Sequence, residues 1–257
     1  MSDNFNRYSL YYDLLYADKD YSSEVRYVRT LIDEYAKMPV SSLLEFGCGT
    51  GIHACAFAAQ GLNVLGVDLS VEMLEGARAR AAIEGLGVER LSFDLGDARK
   101  FRVARKFDVV ASLFHVLSYQ TTEVDLQDMI QTTACHLDTG GLFIFDFWYG
   151  PAVLWQRPSV RTKRLSSSEV EVTRLAEPVI HDESNVVDVN YSVFVKELSS
   201  NQTHEINETH RMRYLFFPEL DRLLNANGFD RMHAEEWLTR KAPSLDSWGV
   251  CVVARKR

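Results

Sequence analysis

No stretch of this chain approaches the ~20 consecutive apolar residues that a helix needs to cross a bilayer. Its first residues, Met1-Ser2-Asp3-Asn4-Phe5-Asn6-Arg7, contain no apolar core of the kind that directs secretion. The expectation is a cytoplasmic protein with no membrane partner. Positive charge is also short: 28 Lys and Arg stand against 36 Asp and Glu, a formal net charge of −8, and no long basic run offers a track for a phosphate backbone. This argues against nucleic acid and favours a small-molecule substrate. The four cysteines, Cys48, Cys55, Cys135 and Cys251, form no Cys-x-x-Cys pair, so neither a metal site nor redox chemistry is expected of them. Apart from Cys48, which falls in a glycine-rich turn, they read as small core residues.

What is present is enough for a full core: 257 residues, 46% of them hydrophobic. Val25, Val28, Leu31, Ile32 and Tyr35 recur at close to helical spacing within residues 22–37. Strand and helix patterns then alternate: strand 41–46, helix 51–60, strand 62–67, helix 70–84, strands 90–93 and 107–113, helix 122–137 and strand 141–147. Gly140-Gly141 reads as the end of that last helix. Such alternation predicts a parallel sheet with helices on both faces. From about residue 159 to 217 the period changes to two, in 170–174, 187–195 and 209–216, with turn-formers at 182–185 and 199–202. This predicts an antiparallel β insertion over the carboxyl ends of the parallel strands, where open α/β sheets bind ligands. A helix over 218–227 and strands near 229–238 and 248–255 return the chain to the main sheet. The economical organisation is a single domain, 1–257, with an insertion at 149–217.

The most informative run is Leu43-Leu44-Glu45-Phe46-Gly47-Cys48-Gly49-Thr50-Gly51, an apolar strand ending in an acid and opening into three alternate glycines. Glycines let a backbone turn tightly and approach a ligand closely. A second apolar strand closes on Asp68, well placed for a pair of ribose hydroxyls, so a nucleoside-shaped ligand is expected. The spacing is not Gly-x-Gly-x-x-Gly and no Gly-Lys-Ser/Thr follows, which argues against dinucleotide and triphosphate clamps. Glu45 would repel a pyrophosphate and welcome a cation.

These residues resemble the first motif of the class I S-adenosylmethionine-dependent methyltransferases. The resemblance continues through Asp68-Leu69-Ser70, Met73, Gly96-Asp97-Ala98 and the strand Phe107 to Leu113, covering most of residues 40–147. It implies an α/β fold with a doubly wound, mostly parallel seven-stranded sheet. It also implies S-adenosyl-L-methionine as cofactor and S-adenosyl-L-homocysteine as product. Asp68 would hold the ribose, Asp97 with the Ala98 amide the adenine, and Glu45 with Gly47, Cys48, Gly49 and Gly51 the methionine end; Tyr12, Leu69, Met73 and Leu113 would complete the cofactor site.

The run Tyr12-Asp13-x-x-Tyr16, followed by Lys19-Asp20-Tyr21-x-x-Glu24, resembles one subgroup, the N-methyltransferases of nucleotide-linked aminodeoxysugars. In that subgroup a Tyr at the position of Tyr16 lies beside the reacting methyl, and a His or Tyr stands at the position of Tyr119. His115 stands where the subgroup carries Ser. It is the best single base candidate, since an ammonium must lose a proton before it can attack; capping the adenine pocket is its other reading. His210 aligns with a subgroup His and is the second candidate, against the reading of a satisfied strand histidine. Arg157, Arg161, Lys163, Arg164, Arg211 and Arg213 could grip a diphosphate. Other acceptors, a hydroxyl or a free amino acid, would use the same cofactor site, and a non-catalytic binding module would keep it. A homodimer is compatible with the sequence, which does not fix the oligomer.

Overall fold

The computed structural model describes residues 13–257. Helix and strand alternate through α1 (Tyr21–Tyr35), β1 (Ser42–Phe46), α2 (Ile52–Ala59), β2 (Asn63–Asp68), α3 (Val71–Ile83), β3 (Leu91–Leu95), β4 (Phe107–Ser112), α4 (Glu123–Cys135) and β5 (Leu137–Tyr149). A short helix, α5 (Gly150–Gln156), precedes four successive strands: β6 (Arg161–Ser166), β7 (Val170–His181), β8 (Val186–Glu197) and β9 (Thr203–Leu215). The chain closes with α6 (Phe217–Ala226), β10 (Phe229–Glu236) and β11 (Gly249–Lys256).

Seven strands form the main sheet in the order β3-β2-β1-β4-β5-β11-β10, parallel except for β11, which runs antiparallel to β5 and β10. Its central strands are apolar on both faces because both are covered. Period two sorts their side chains: Leu43, Val109, Ala111, Leu142 and Ile144 join the core under α1, α2 and α3, and Leu44, Val110, Phe143, Phe145 and Phe147 join the core under α4 and α6. The expected α/β sheet is therefore present.

The insertion is larger than its strongest alternating segments suggested. β6 to β9 form an antiparallel sheet in the order β9-β8-β7-β6, with turns at the two expected places. It joins the main sheet through two residue pairs, Trp148↔Tyr214 and Tyr149↔Leu215, where β9 runs parallel to β5. β4 has already stopped at Ser112, paired with Phe145, so β9 takes over the edge of β5 that β4 gives up. The segment between them, residues 113–119, is left free to form a loop.

Three expectations need correction. Gly140-Gly141 lies inside β5, because α4 ends at Cys135; an irregular stretch separates the pairs Phe107↔Leu137 and Val109↔Leu142, and Gly140 takes φ 91° within it. Cys135 is exposed at that helix end, whereas Cys48, Cys55 and Cys251 are buried. The helix α5 was not anticipated; Pro151 in its first turn starts it directly after β5.

Candidate active site

The first turn is built around glycine geometry. Gly47, Gly49 and Gly51 all have positive φ, at 70°, 54° and 75°. A Cβ on Gly47 would lie 2.5 Å from Val116 Cγ2, whereas one on Gly49 would meet nothing within 4 Å. Gly49 thus faces open space, with its N–H donating to Asp68 Oδ2 at 2.8 Å. Ser70 N donates to the other oxygen at 3.0 Å, and the Ser70 hydroxyl caps α3 by accepting from Met73 N. Asp68 ties the glycine turn to the end of β2, and burial raises its carboxyl above the ordinary range.

That open space is a cavity of about 360 Å³. One wall contains Gly47, Cys48, Gly49, Asp68, Leu69, Met73, Asp97, Ala98 and Leu113; the other contains Tyr16, Tyr119, Tyr191, His210 and Met212, with His115 and Trp148 between them. Two expected residues stand elsewhere, and Tyr12 lies outside the described residues. Gly51 caps α2, where a Cβ would come 2.8 Å from Ala77 Cβ and 3.0 Å from Phe93 Cζ; it serves the turn and the packing of α2 on α3. Glu45 is 1% exposed and sits behind the wall, 3.6 Å from Nδ1 of His53, which does reach the cavity.

Glu45 belongs to a buried charge cluster. His53 Nε2 lies 2.8 Å from Glu24 Oε2, as does Lys19 Nζ, whose ammonium also sits 3.6 Å from the Phe114 ring centre. Burial alone would raise the Glu24 carboxyl, but His53 and Lys19 outweigh it and hold it below its ordinary value. Glu45 lacks that support: burial and the nearby Asp68 carboxylate push it to about 8, against the pull of Lys19. Its Oε2 finds no hydrogen-bond partner among the described residues, which leaves a polar atom beside the glycine turn suited to a ligand ammonium. A carboxyl with a raised folded-state pKa contributes stability that is complete below its unfolded value, near 4.5, and is lost as pH rises through about 8. The ligand-free protein should therefore melt at lower temperature at pH 9 than at pH 6, and Glu45→Gln should shrink that difference. Equal differences in the two proteins, measured by calorimetry, would refute the assignment.

At the other end, Asp97 receives the Arg99 guanidinium on both oxygens, at 3.0 Å on Oδ1 and 2.7 Å on Oδ2, and Arg99 reaches on to Asp125 at 2.6 Å. The Arg99 hydrogen bonds hold the Asp97 carboxyl below its usual range. A carboxylate fixed in this way accepts an exocyclic amine without reorienting.

The loop after β4 carries two consecutive left-handed residues, Phe114 (φ 63°) and His115 (φ 62°). A buried acid holds them. The His115 N–H donates to Asp146 at 3.1 Å, and His115 Nδ1 lies 2.7 Å from Asp146 Oδ2. Ser118 in turn accepts from Trp148 N at 3.0 Å, so the loop satisfies β5 where β4 no longer does. Across the cavity, Tyr119 Oη lies 2.7 Å from His210 Nδ1, and His210 Nε2 lies 3.1 Å from Glu208 Oε2. Tyr16 accepts from Arg174 Nη1 at 3.1 Å and packs edge-on to Phe114. Tyr16 and Tyr21 border the cavity, whereas Tyr27 is buried core.

The basic residues of the insertion do not gather as expected; among the described residues, none of the six is on the cavity wall. Arg157 pairs with Asp182, Lys163 with Asp18, Arg211 with Asp188 and Arg213 with Glu219. Arg174 is the insertion cation beside Tyr16 and Tyr191.

A family model described as a methyltransferase domain matches residues 43–141. A dTDP-3-amino-3,4,6-trideoxy-alpha-D-glucopyranose N,N-dimethyltransferase of Streptomyces venezuelae is 34% identical to it over 143 residues, 54% of this chain and 56% of that protein. That match spans little more than half of the relative's own length. A dTDP-4-amino-2,3,4,6-tetradeoxy-D-glucose N,N-dimethyltransferase of Saccharopolyspora spinosa is 29% identical over 207 residues, 75% and 78% of the two chains. A crystal structure of an S-adenosylmethionine-dependent methyltransferase from Clostridium acetobutylicum has a TM-score of 0.83 at 22% identity over 98% of both chains. The chain thus has the class I methyltransferase fold, and the four insertion strands lie within the part that this structure shares. The glycine turn, Asp68, Met73, Asp97 and Ala98 all fall inside the matched domain; Tyr16, Tyr191 and His210 fall outside it.

Proposed function

We propose that this protein transfers a methyl group from S-adenosylmethionine to the amino group of a nucleotide-linked aminodeoxysugar. The observation that carries this reading is the pair of walls around one cavity. A domain wall with Gly49, Asp68 and Asp97 faces an insertion wall with Tyr191, His210 and Met212. The names of the two relatives support the acceptor, since both act on dTDP-linked amino sugars. In this reading the chain is a single methyltransferase domain whose residues 149–217 bind the acceptor.

S-adenosylmethionine, when bound, supplies an electrophilic methyl on a sulfonium. Asp68 takes the ribose hydroxyls, Asp97 the adenine amine, and Glu45, behind the glycine turn, balances the methionine ammonium. Orientation of the amine on the methyl axis supplies most of the acceleration, of the order of ~7–11 kcal/mol in favourable cases. Tyr16, held by Arg174, and Tyr119, held by His210, orient that amine. His115 removes its proton: Nδ1 lies 2.7 Å from the Asp146 carboxylate, and Nε2 is the ring nitrogen assigned to accept the proton. Arg174, behind the Tyr16 and Tyr191 rings of the insertion wall, is the cation assigned to the anionic part of the acceptor.

Mass spectrometry of reactions with a panel of nucleotide-linked amino sugars, free amino acids and hydroxylated sugars tests this. Methylated amino sugar is the expected product. Methylated glycine or a methyl ether, with no methylated amino sugar across the panel, would refute the acceptor. Cofactor binding without any product would leave a binding module.

A further inference from the structure

The inner face of the insertion sheet buries a carboxylate that the methyl-transfer reading has not used. Glu208, His210 and Met212 alternate inward along β9, with Tyr191 opposite Glu208 and Val189 opposite His210 on β8. The neighbours on that face are apolar: Val187, Val189, Met212 and Tyr214 are all buried. Glu208 itself is 5% exposed. Burying a carboxylate in such surroundings costs several kcal/mol, which only well-placed hydrogen bonds and charge partners offset.

We propose that Glu208 is a positioning residue: by fixing the tautomer of His210 it sets the direction of the His210–Tyr119 hydrogen bond, so that Tyr119 presents an accepting oxygen to the amine. This rests on the assignment of an amine as the methyl acceptor. The argument follows the hydrogens. In the proposed arrangement Glu208 Oε2 accepts in its 3.1 Å contact with His210 Nε2, which places the imidazole proton on Nε2. Nδ1 of a neutral ring is then an acceptor, and at 2.7 Å it takes the hydroxyl hydrogen of Tyr119. With its hydrogen turned to His210, the Tyr119 oxygen meets the amine as an acceptor of its N–H and turns the nitrogen lone pair elsewhere, toward the methyl. Tyr119 remains a phenol, because burial and the neighbouring Tyr191, Tyr16 and Glu208 drive its ionisation well above the ordinary value.

The opposite tautomer reverses the outcome. With the proton on Nδ1, His210 donates to Tyr119, and the Tyr119 hydrogen turns to the cavity. A donor facing the amine occupies the lone pair that must attack, which opposes transfer. One buried carboxylate thus decides whether the same tyrosine helps or hinders. The edge of the Tyr191 ring closes the other side of His210, at 4.9 Å between ring centres, with Arg174 above Tyr191 at 5.0 Å.

Glu208→Gln keeps the shape and lets an amide N–H point at Nε2, so both tautomers become accessible. The first readout needs no substrate: nitrogen-15 NMR of histidine-labelled protein, with the His210 signal identified by its loss in His210→Gln. The neutral Nε2–H form is expected in the natural protein and an admixture of the Nδ1–H form in Glu208→Gln. The second readout is kinetic. Glu208→Gln should lower kcat ~5-fold or more, about the worth of one hydrogen bond, with S-adenosylhomocysteine affinity unchanged. In a Tyr119→Phe background the same substitution should cause no further loss. An Nδ1–H ring or an imidazolium in the natural protein overturns the proposal, and that measurement stands even if the variant fails to fold. A full Glu208→Gln effect retained in Tyr119→Phe overturns it as well. The expected tautomers in a protein that methylates no amine would sink the acceptor reading and the catalytic consequence, and leave the hydrogen-bond direction assigned.

Discussion

Replacing His115 by asparagine is expected to slow methyl transfer by about 10²–10⁴, the range typical of a lost general base. Asparagine is the informative choice because His115 sits at φ 62°, where Asn is tolerated and Ala is strained. The variant should keep the fold of the 113–119 loop, since the hydrogen bond from the residue 115 amide to Asp146 is a backbone one. Its rate should recover as pH rises, because the amine then arrives already neutral and needs no base. Asp146→Asn should reproduce part of the loss by releasing the imidazole from its orientation. If His115→Asn shows the natural rate and pH profile, His115 takes no proton, and Tyr16, Tyr119 and His210 remain as the groups that only position the amine.

Substitution of Asp68 by alanine is expected to weaken S-adenosylhomocysteine binding by ~1–3 kcal/mol, about 5- to 150-fold in Kd. Two losses combine in that figure. The ribose hydroxyls lose a charged acceptor, and the N–H groups of Gly49 and Ser70 lose the carboxylate that ties the glycine turn to β2. Titration calorimetry on variants shown to be folded measures the sum. Asp97→Ala should weaken binding too, but Gly49 should keep its place, so the effect on turn protection in hydrogen exchange separates the two sites. Unchanged affinity in a folded Asp68→Ala protein would remove the cofactor assignment at this turn.

Much of the domain half was legible because its signals are local. The three glycines, the acid at the end of β2 and Asp97 after β3 are fixed by their positions along single strands, and the structure brings Gly47, Gly49, Asp68, Met73, Asp97 and Ala98 to one wall. Gly51 carried the same signal for a different reason, the close approach of α2 to α3. The insertion was legible as alternating strands and not as a site. Alternation says that Glu208, His210 and Met212 share a face; only the pairing with β8 and the join to β5 decide that the face looks into the cavity. The arginines illustrate the converse: Arg157, Arg211 and Arg213 looked like a diphosphate grip, but Asp182 claims the first, Asp188 across the sheet the second, and Glu219 in the next helix the third. Asp146 left a readable trace, a lone acid in the apolar run Leu142 to Trp148, and a charge that costs so much to bury marks a position with a partner to hold.

The two-pair join between β5 and β9 has a consequence for how this molecule can be altered. Trp148 and Tyr149 are the main sheet's hydrogen-bonded link to the insertion, and the register of β6 to β9 is set by their own hairpin turns. Changes in β6, β7 and the outer half of β8 must satisfy their own ladder and the contacts of Lys163, Val172 and Arg174 with residues 15–18, leaving the glycine turn untouched. A grafted insertion would need to reproduce Tyr214, Leu215 and the inward alternation of β9, a short specification for exchanging one cavity wall on a constant main sheet.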